Sequence, residues 1–236
     1  MMFRLCLLIT LLSSWSQLAL AEKRLAIFLP LAISPRELEK TLKSDPSLEG
    51  IETTVFVKFD DFQESSQQKP FDFAILPSFY GSYYSDFKPI FRLKNGNAET
   101  FHYLILSIEK QWTLEKINEG TVGIVDEFGR ENMKRYISTI IKNRDIKKLK
   151  RVTKYDDIFP LLAMGNAHYT MIPQNLMSYL KEKYKSNPIE VAQSEEVQNP
   201  AIYARVSSGD SKNPDFSKLS SNSLKALGFD GLARLP

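Results

Sequence analysis

The sequence has 236 residues, of which 31 are basic and 28 are acidic. This length is enough for one large domain or for two lobes. The charges are too evenly balanced to favour a nucleic-acid-binding protein.

The first 21 residues have the pattern of a secretory signal peptide. Arg4 precedes an apolar run over 5–12, and Ala19-Leu20-Ala21 provides a small-x-small cleavage site before Glu22. The alternative is an N-terminal membrane anchor, but the apolar run is shorter than the about 20 residues that span a bilayer. We therefore predict cleavage after Ala21 and export to the periplasm.

The predicted cleavage removes the only cysteine, Cys6, so the mature chain has no disulfide, thiolate nucleophile or cysteine metal site. The remaining 215 residues carry 30 basic and 28 acidic side chains, a net charge of +2. No later apolar run reaches membrane-spanning length. We expect a soluble, monomeric exported protein.

The remaining sequence alternates between strand and helix patterns. Short apolar or alternating runs predict strands at 25–29, 51–59, 71–77, 87–93, 100–107, 121–126, 149–154, 168–173, 189–193 and 200–207. Caps and helical spacing predict helices at 34–50, 113–120, 130–143, 156–167, 175–185 and 221–229. Between them, 64–69 reads as a polar connection and 78–84 as an aromatic loop. This order predicts an α/β fold with mostly parallel, mixed sheets and flanking helices.

Five segments, in this order, resemble the type 2 periplasmic solute-binding proteins, in particular the phosphate/phosphonate-type binding proteins of ABC importers. They are "FLPLAISPRELEKTL", "KPFDFAILPSFYGSYY", "TLEKINEGTVGIVDEFGREN", "LLAMGNAHYTMIP" and "LKALGFDGLARL". One departure is His168, which stands where the family usually has Asp.

The resemblance implies two lobes joined by a two-stranded hinge, with a solute held in the cleft by closure of the lobes. We expect lobe 1 at 22–103, lobe 2 at 104–192, and a return to lobe 1 at 193–236. The implied partners are a small polar solute and a membrane permease. The alternative is a signalling or accessory protein of the cell envelope, with a degenerate ligand site and an envelope sensor as its partner.

The loop after the strand at 121–126 is the first candidate binding site. In the phosphonate-binding relatives this loop carries Ser and Thr hydroxyls that hold the anion, whereas here only Asp126 and Gly129 match. The carboxylate of Glu127 disfavours a dianion. Asp126, Glu127 and Glu131 are interpreted either as helix caps or as ligand contacts. In the second case Asp126 or Glu127 pairs with a cationic group and Arg130 with a carboxylate, which suits a zwitterion or polyamine.

The aromatic segment at 78–84 is the second candidate. Phe79, Tyr80, Tyr83 and Tyr84 are expected either to pack as ordinary core or to form an aromatic wall that contacts the ligand. Ser78 and Ser82 either cap the local turn or donate hydroxyl groups to the solute.

The sequence gives little support to an enzyme or a metalloprotein. His102 and His168 fall in different lobes, with no acidic partner at metal-ligand spacing. The sequence has no nucleophile elbow and no His-Glu-x-x-His motif. We therefore expect a binding protein that needs neither a metal nor a cofactor.

Overall fold

The structure is a computed structural model. It describes residues 23–29, 34–81, 84–141, 144–185, 188–206 and 214–236. The predicted signal peptide and two of the candidate site residues, Ser82 and Tyr83, lie outside these ranges.

The described residues form strands and helices in the following order. The strands are β1 (Lys23–Phe28), β2 (Ile51–Phe56), β3 (Phe73–Leu76), β4 (Phe87–Lys94), β5 (Thr100–Phe101), β6 (Tyr103–Ser107), β7 (Thr121–Val125), β8 (Lys148–Val152), β9 (Tyr169–Pro173), β10 (Ile189–Gln193), β11 (Val197–Gln198), β12 (Ala201–Arg205) and β13 (Gly231–Arg234). The α-helices are α1 (Pro35–Lys43), α2 (Phe59–Gln68), α3 (Ser78–Gly81), α4 (Arg130–Ile140), α5 (Ile158–Ala163), α6 (Met177–Tyr184) and α7 (Ser221–Ala226). Among them, no helix is long and apolar enough to cross a membrane.

The first sheet has six strands in the order β13-β4-β12-β3-β1-β2. β1 pairs in parallel with β2 and β3, whereas β12 pairs antiparallel with β3 and β4. Alternate residues of β1 face opposite sides: Leu25 and Ile27 pack with α1 and α7, while Ala26 and Phe28 join the aromatic core on the other face. Both faces are covered, which explains why these strands are continuously apolar.

The second sheet has five strands in the order β10-β6-β9-β7-β8. Its centre is parallel, since β7 pairs with both β8 and β9 in that direction. The carboxyl ends of β7 and β8 therefore lie side by side, and the residues that follow them meet at one edge of the sheet. This edge carries the candidate loop at 126–129.

The chain passes between the two sheets twice. The first crossing contains β5 and the second contains β11, and these two short strands pair with each other. Two adjacent extended segments between two sheets are typical of a hinge.

The structure corrects several predicted elements. The strand at 51–59 ends at Phe56, and 59–68 is a helix instead of a polar connection. The reason is that Phe59 and Phe62, three residues apart, are both buried and pack against Phe28.

Other predicted bounds were also wrong. The segment 113–120, predicted as a helix, contains only a 3₁₀ turn at Leu114–Lys116. The strand predicted at 100–107 is interrupted at His102, where β5 ends and β6 follows. The aromatic segment opens with the one-turn helix α3. The C-terminal strand β13 was not predicted. The N-cap at Ser34 is confirmed, since its hydroxyl accepts a hydrogen bond from the Glu37 backbone N–H at 3.2 Å.

Candidate functional site

A cleft lies between the two sheets, beside the β5–β11 crossing. The empty space in it is about 890 Å³, including the part that is open to solvent. One wall comes from the side of the first sheet and contains the ends of β1 and β3 together with α3 and α7. The other wall comes from the side of the second sheet and contains β6, α4 and the residues at the ends of β7, β8 and β9. The residues that line the cleft include Ser78, Phe79, Phe101, Tyr103, Glu127, Tyr136, Tyr155, Leu176, Val197 and Lys225.

Glu127 is the acidic residue of this wall. β7 ends at Val125, and α4 begins only after Gly129, whose φ of 73° and ψ of 166° are accessible almost exclusively to glycine. The two residues after Asp126 therefore turn inward. As a result, Glu127 is only 4% exposed and yet lines the cleft.

Three tyrosines hold Glu127 in place. The Tyr155 hydroxyl donates to its Oε1 at 2.6 Å, and the Tyr103 hydroxyl donates to its Oε2 at 3.3 Å. The Tyr80 hydroxyl, from the first sheet's side, donates to the Glu127 carbonyl oxygen at 2.8 Å. Hydrogen bonds therefore fix both the side chain and the backbone of this residue.

Burial shifts the ionisation of the whole cluster. Desolvation raises the pKa of Glu127 to about 7, against the lowering effect of the Tyr155 and Tyr103 hydrogen bonds. Desolvation and the nearby Glu127 charge raise the pKa of Tyr103, Tyr136 and Tyr155 well above 10. The tyrosines therefore remain protonated donors, while Glu127 changes charge near neutral pH.

The helix-cap interpretation is wrong for Asp126 and Glu127. The residue at the start of α4 is Gly129, and no side chain there caps the helix. Asp126 instead forms an ion pair with Arg151 on the neighbouring strand β8, through its Oδ2. Its Oδ1 is buried and has no hydrogen-bond partner among the described residues. The side chain of Glu131 lies outside the described part of the chain.

An aromatic cluster covers the approach to the first turn of α4. Phe128 is fully buried, and its ring centroid lies 5.0 Å from that of Phe79, 4.7 Å from Tyr80 and 4.4 Å from Tyr136. Phe79 and Tyr80 belong to the first sheet's side and Phe128 and Tyr136 to the second. Rings from the two sides therefore pack against each other beside the loop at 126–129.

Ser78 lies in the opposite wall of the cleft. Its hydroxyl donates to the carbonyl oxygen of Asn199 and accepts a hydrogen bond from Arg92 at 2.8 Å. Arg92 is engaged further, since it also donates to the Asn199 carbonyl and faces Glu99 at 3.8 Å. These contacts fix the Ser78 oxygen at the surface of the cleft.

The structure brings together only some of the predicted site residues. Ser78 and Glu127 line the cleft, whereas Tyr80, Asp126 and Gly129 do not. Tyr80 is 1% exposed and packs in the core between the sheets, where its ring stacks on Phe59 at 4.4 Å. The side chain of Arg130 lies outside the described part of the chain.

Sequence reasoning missed three tyrosines of the site. Tyr103 starts a buried strand, Tyr136 is a buried residue of α4, and Tyr155 follows β8. The sequence did contain a signal for Tyr155, because this residue follows a predicted strand, and residues that follow adjacent parallel strands meet at one edge of the sheet. Using that signal required knowing that β7 and β8 are adjacent.

The two histidines have structural contacts. His168 Nδ1 accepts the Thr121 backbone N–H at 2.9 Å, and its ring lies 4.0 Å from that of Trp112. His102 Nδ1 lies 2.9 Å from the Ser194 carbonyl oxygen. Within the part of the chain that the structure describes, no group of three acidic, histidine or cysteine side chains is placed to hold a metal ion.

Comparison with solved structures identifies the fold. A binding protein component of an ABC phosphonate transporter from Pseudomonas aeruginosa matches with a TM-score of 0.59 and 9% identity, over 90% of this chain and 81% of that one. Arginine-bound ArgBP from T. maritima, as a point mutant, matches with a TM-score of 0.51 and 13% identity, over 87% of this chain and 92% of that one.

The chain has the fold of the type 2 periplasmic binding proteins. The prediction from the sequence is thereby confirmed at the level of the fold. A histidine kinase sensor domain with similarity to periplasmic binding proteins also matches, with a TM-score of 0.53 and 16% identity, over 88% of this chain and 89% of that one. No protein-family model and no curated protein matches the sequence.

Proposed function

We propose that this chain is a periplasmic solute-binding protein that captures a small polar solute in the cleft between its two sheets and delivers it to an ABC importer. The observation that carries the proposal is the placement of Glu127. A carboxylate that is almost fully buried, held by two tyrosine hydroxyls and open to a cleft is costly to maintain. Perturbed ionisable groups in clefts mark binding sites more often than ordinary core positions.

The connection between the sheets supports this reading. The chain divides into two lobes if the boundaries lie at β5 and β11, whereas the boundaries predicted from the sequence, 103/104 and 192/193, fall just inside the neighbouring strands β6 and β10. With only two extended segments between them, the lobes would close over a solute by bending at the crossings. Solved proteins with this fold include binding proteins of phosphonate and amino-acid ABC transporters.

A second candidate function is a sensor or accessory role in the cell envelope. It is favoured by the ring contacts between Phe79 and Phe128 and between Phe79 and Tyr136, which join the two sides of the cleft directly. One structural neighbour is a histidine kinase sensor domain. In this case the partner would be an envelope sensor instead of a permease.

Thermal unfolding with a solute panel tests the binding proposal. The panel contains phosphate, phosphonates, amino acids, polyamines and aryl-alkyl amines. A solute at about 100 times its Kd stabilises the folded chain by about 2.7 kcal/mol, which appears as a raised Tm. If no solute in the panel raises the Tm, the binding proposal fails and the accessory role is favoured.

Two further observations test where the protein is located and which partner it has. N-terminal sequencing of the exported protein should begin at Glu22, and retention of Arg4 in the mature protein would contradict the periplasmic assignment. Neighbouring permease and ATPase genes favour uptake, whereas a neighbouring sensor-kinase gene favours signalling.

A further inference from the structure

The two charged side chains in the described lining of the cleft lie on opposite sides of it. Among the lining side chains that the structure describes, Glu127 is the acidic one and Lys225 the basic one. Lys225 is exposed and belongs to α7, on the first sheet's side, whereas Glu127 belongs to the second. An anionic group at Glu127 would face a buried like charge.

The carboxylate retains hydrogen-bonding capacity. Two carboxylate oxygens offer about four acceptor positions. The hydroxyls of Tyr155 and Tyr103 fill one position on each oxygen. Since Glu127 lines the cleft, we expect a donor that enters the cleft to use the remaining positions.

Aromatic rings form a continuous wall beside this carboxylate. Phe101 lies 5.2 Å from Tyr103, Tyr103 lies 6.3 Å from Tyr136, and Tyr136 lies 4.8 Å from Phe79, measured between ring centroids. Ring faces attract cations, and more strongly where water is excluded. Next to this wall the lining is aliphatic, with Leu176 and Val197.

We propose that the cleft takes a ligand with a protonated amine attached to an apolar body, the amine at Glu127 and the body along Phe101, Leu176 and Val197. The inference rests on the proposed function and names its ligand class. The amine of the zwitterion or polyamine predicted from the sequence is retained, whereas the rings and aliphatic side chains beside Glu127 favour an apolar body next to that amine. A single amine with an apolar body matches one carboxylate and a row of rings.

The ionisation of Glu127 gives the proposal a second readout. Burial raises its pKa to about 7, so the carboxyl is partly protonated at neutral pH. The groups facing it are the hydroxyls of Tyr103, Tyr136 and Tyr155, which stay protonated, and the carboxylate of Asp126, which raises its pKa further. An ammonium group at Glu127 favours the ionised form, so binding at pH 7 expels part of a proton.

Matched probes test the ligand class by calorimetry. The probes are 2-phenylethylamine, the neutral 2-phenylethanol, the anionic 3-phenylpropanoate, and putrescine, which has amines without an apolar body. We expect the amine to bind at least tenfold more tightly than the alcohol, and the acid and putrescine to bind more weakly still. The amine should release protons at pH 7, detected as a dependence of the binding heat on the buffer.

Variants assign the effect to the carboxylate. Glu127→Gln should weaken 2-phenylethylamine at least tenfold, abolish the proton release and leave 2-phenylethanol within about twofold. Glu119→Gln, an exposed carboxylate outside the cleft, is the matched control and should change neither affinity. If Glu127→Gln does not fold, Tyr136→Phe and Tyr155→Phe replace it. Each variant should weaken the binding of the amine more than that of the alcohol. The reason is that each removes a hydroxyl group near the carboxylate of Glu127 and keeps the aromatic ring of the tyrosine.

Some results would overturn the inference and leave the proposed function standing. They are equal affinity for amine and alcohol, tighter binding of the acid or of phosphate, or undiminished amine binding by Glu127→Gln. If none of the probes and none of the wider solute panel binds, the proposed function itself has failed and the ligand class fails with it.

Discussion

At the scale of single residues, the conformation of one loop decides what Glu127 does. A sequence with Asp126, Glu127 and Glu131 around the start of a helix favours caps, because that is where acidic residues usually stabilise helices. Here Gly129 takes a conformation that other residues avoid, and the helix starts after it. The carboxylate of Glu127 is thereby left inside the protein, a consequence that pattern reasoning could not provide.

The buried carboxyl predicts an unusual pH dependence of stability. In the unfolded chain Glu127 ionises near pH 4.5, whereas in the folded chain its pKa is about 7. Between these values the folded state binds more protons, so its free energy of unfolding falls as pH rises, by on the order of 3 kcal/mol in total. This contribution is fully present below pH 4.5 and lost above pH 7.

Urea unfolding of the wild type and Glu127→Gln at pH 5 and pH 8 measures this effect. The wild type should lose more stability than Glu127→Gln between the two pH values, by on the order of 3 kcal/mol. Glu119→Gln should retain the slope of the wild type. The same slope for Glu127→Gln as for the wild type would show that Glu127 titrates normally.

At the scale of elements, much of the architecture could be predicted. The buried strands β1, β3 and β7 were recognisable as short apolar runs, and α1 from its complete capping box. α2 was missed because its two phenylalanines form a narrow apolar stripe on an otherwise polar segment. β13 was missed because a four-residue edge strand carries little periodicity.

The conformation of Gly129 should make the loop before α4 sensitive to substitution. A Cβ at this position would meet no atom within 4 Å, so the cost of Gly129→Ala comes from the backbone alone. We expect a loss of about 1–3 kcal/mol in unfolding free energy, and weaker binding of any ligand that contacts Glu127. Gly231→Ala is the control, because that glycine has an ordinary φ and only loose contacts. Equal stability of the two variants would refute this account of the loop.

Asp45 links two helices of the layer that covers the first sheet. Its carboxylate accepts hydrogen bonds from Ser47, from the Ser220 backbone N–H at 2.9 Å and from the Ser223 hydroxyl at 2.5 Å, which links the end of α1 to the start of α7. Burial alone would raise the pKa of Asp45, but the hydrogen bonds from Ser223, Ser47 and Ser220 lower it well below the usual range.

Asp45→Asn should therefore destabilise the chain by about 2 kcal/mol or more at pH 7. Since the folded pKa is depressed, the stability from the charged form is present above pH 4 and lost as pH falls further. The difference between wild type and variant should narrow in acid, as measured by urea unfolding at pH 7 and pH 3. An Asp215→Asn control, at an exposed side chain, should cost little. A constant difference at both pH values would contradict the hydrogen-bond account.

At the scale of the whole molecule, the two sheets are joined by the paired crossings β5 and β11 and by an aromatic contact. The sequence did not indicate that Phe79, Tyr80 and Phe128 meet, because they are far apart in the chain and no local pattern reports such contacts. The size of the cleft was likewise beyond sequence reasoning.

The aromatic contact predicts that Phe79 holds the two sides of the cleft together. Phe79→Ala removes ring contacts with Phe128 and Tyr136, each worth about 0.5–1.5 kcal/mol. A loss of about 1 kcal/mol shifts the ratio of open to closed molecules about fivefold. Small-angle X-ray scattering should then give a larger radius of gyration for the variant. Phe229 also lines the cleft but packs with the core of the first sheet, so Phe229→Ala should leave the radius of gyration unchanged. A larger radius for both variants, or for neither, would contradict the proposed role of Phe79.

The most direct test of the central claim, that a solute binds between the two lobes at Glu127, is hydrogen–deuterium exchange with and without the solute that raises the Tm most. We predict slower amide exchange on both sides of the cleft, in the segments 76–79 and 197–200 and in the segments 103–107 and 126–136. Protection that is confined to one side, or that lies away from these segments, would contradict the account.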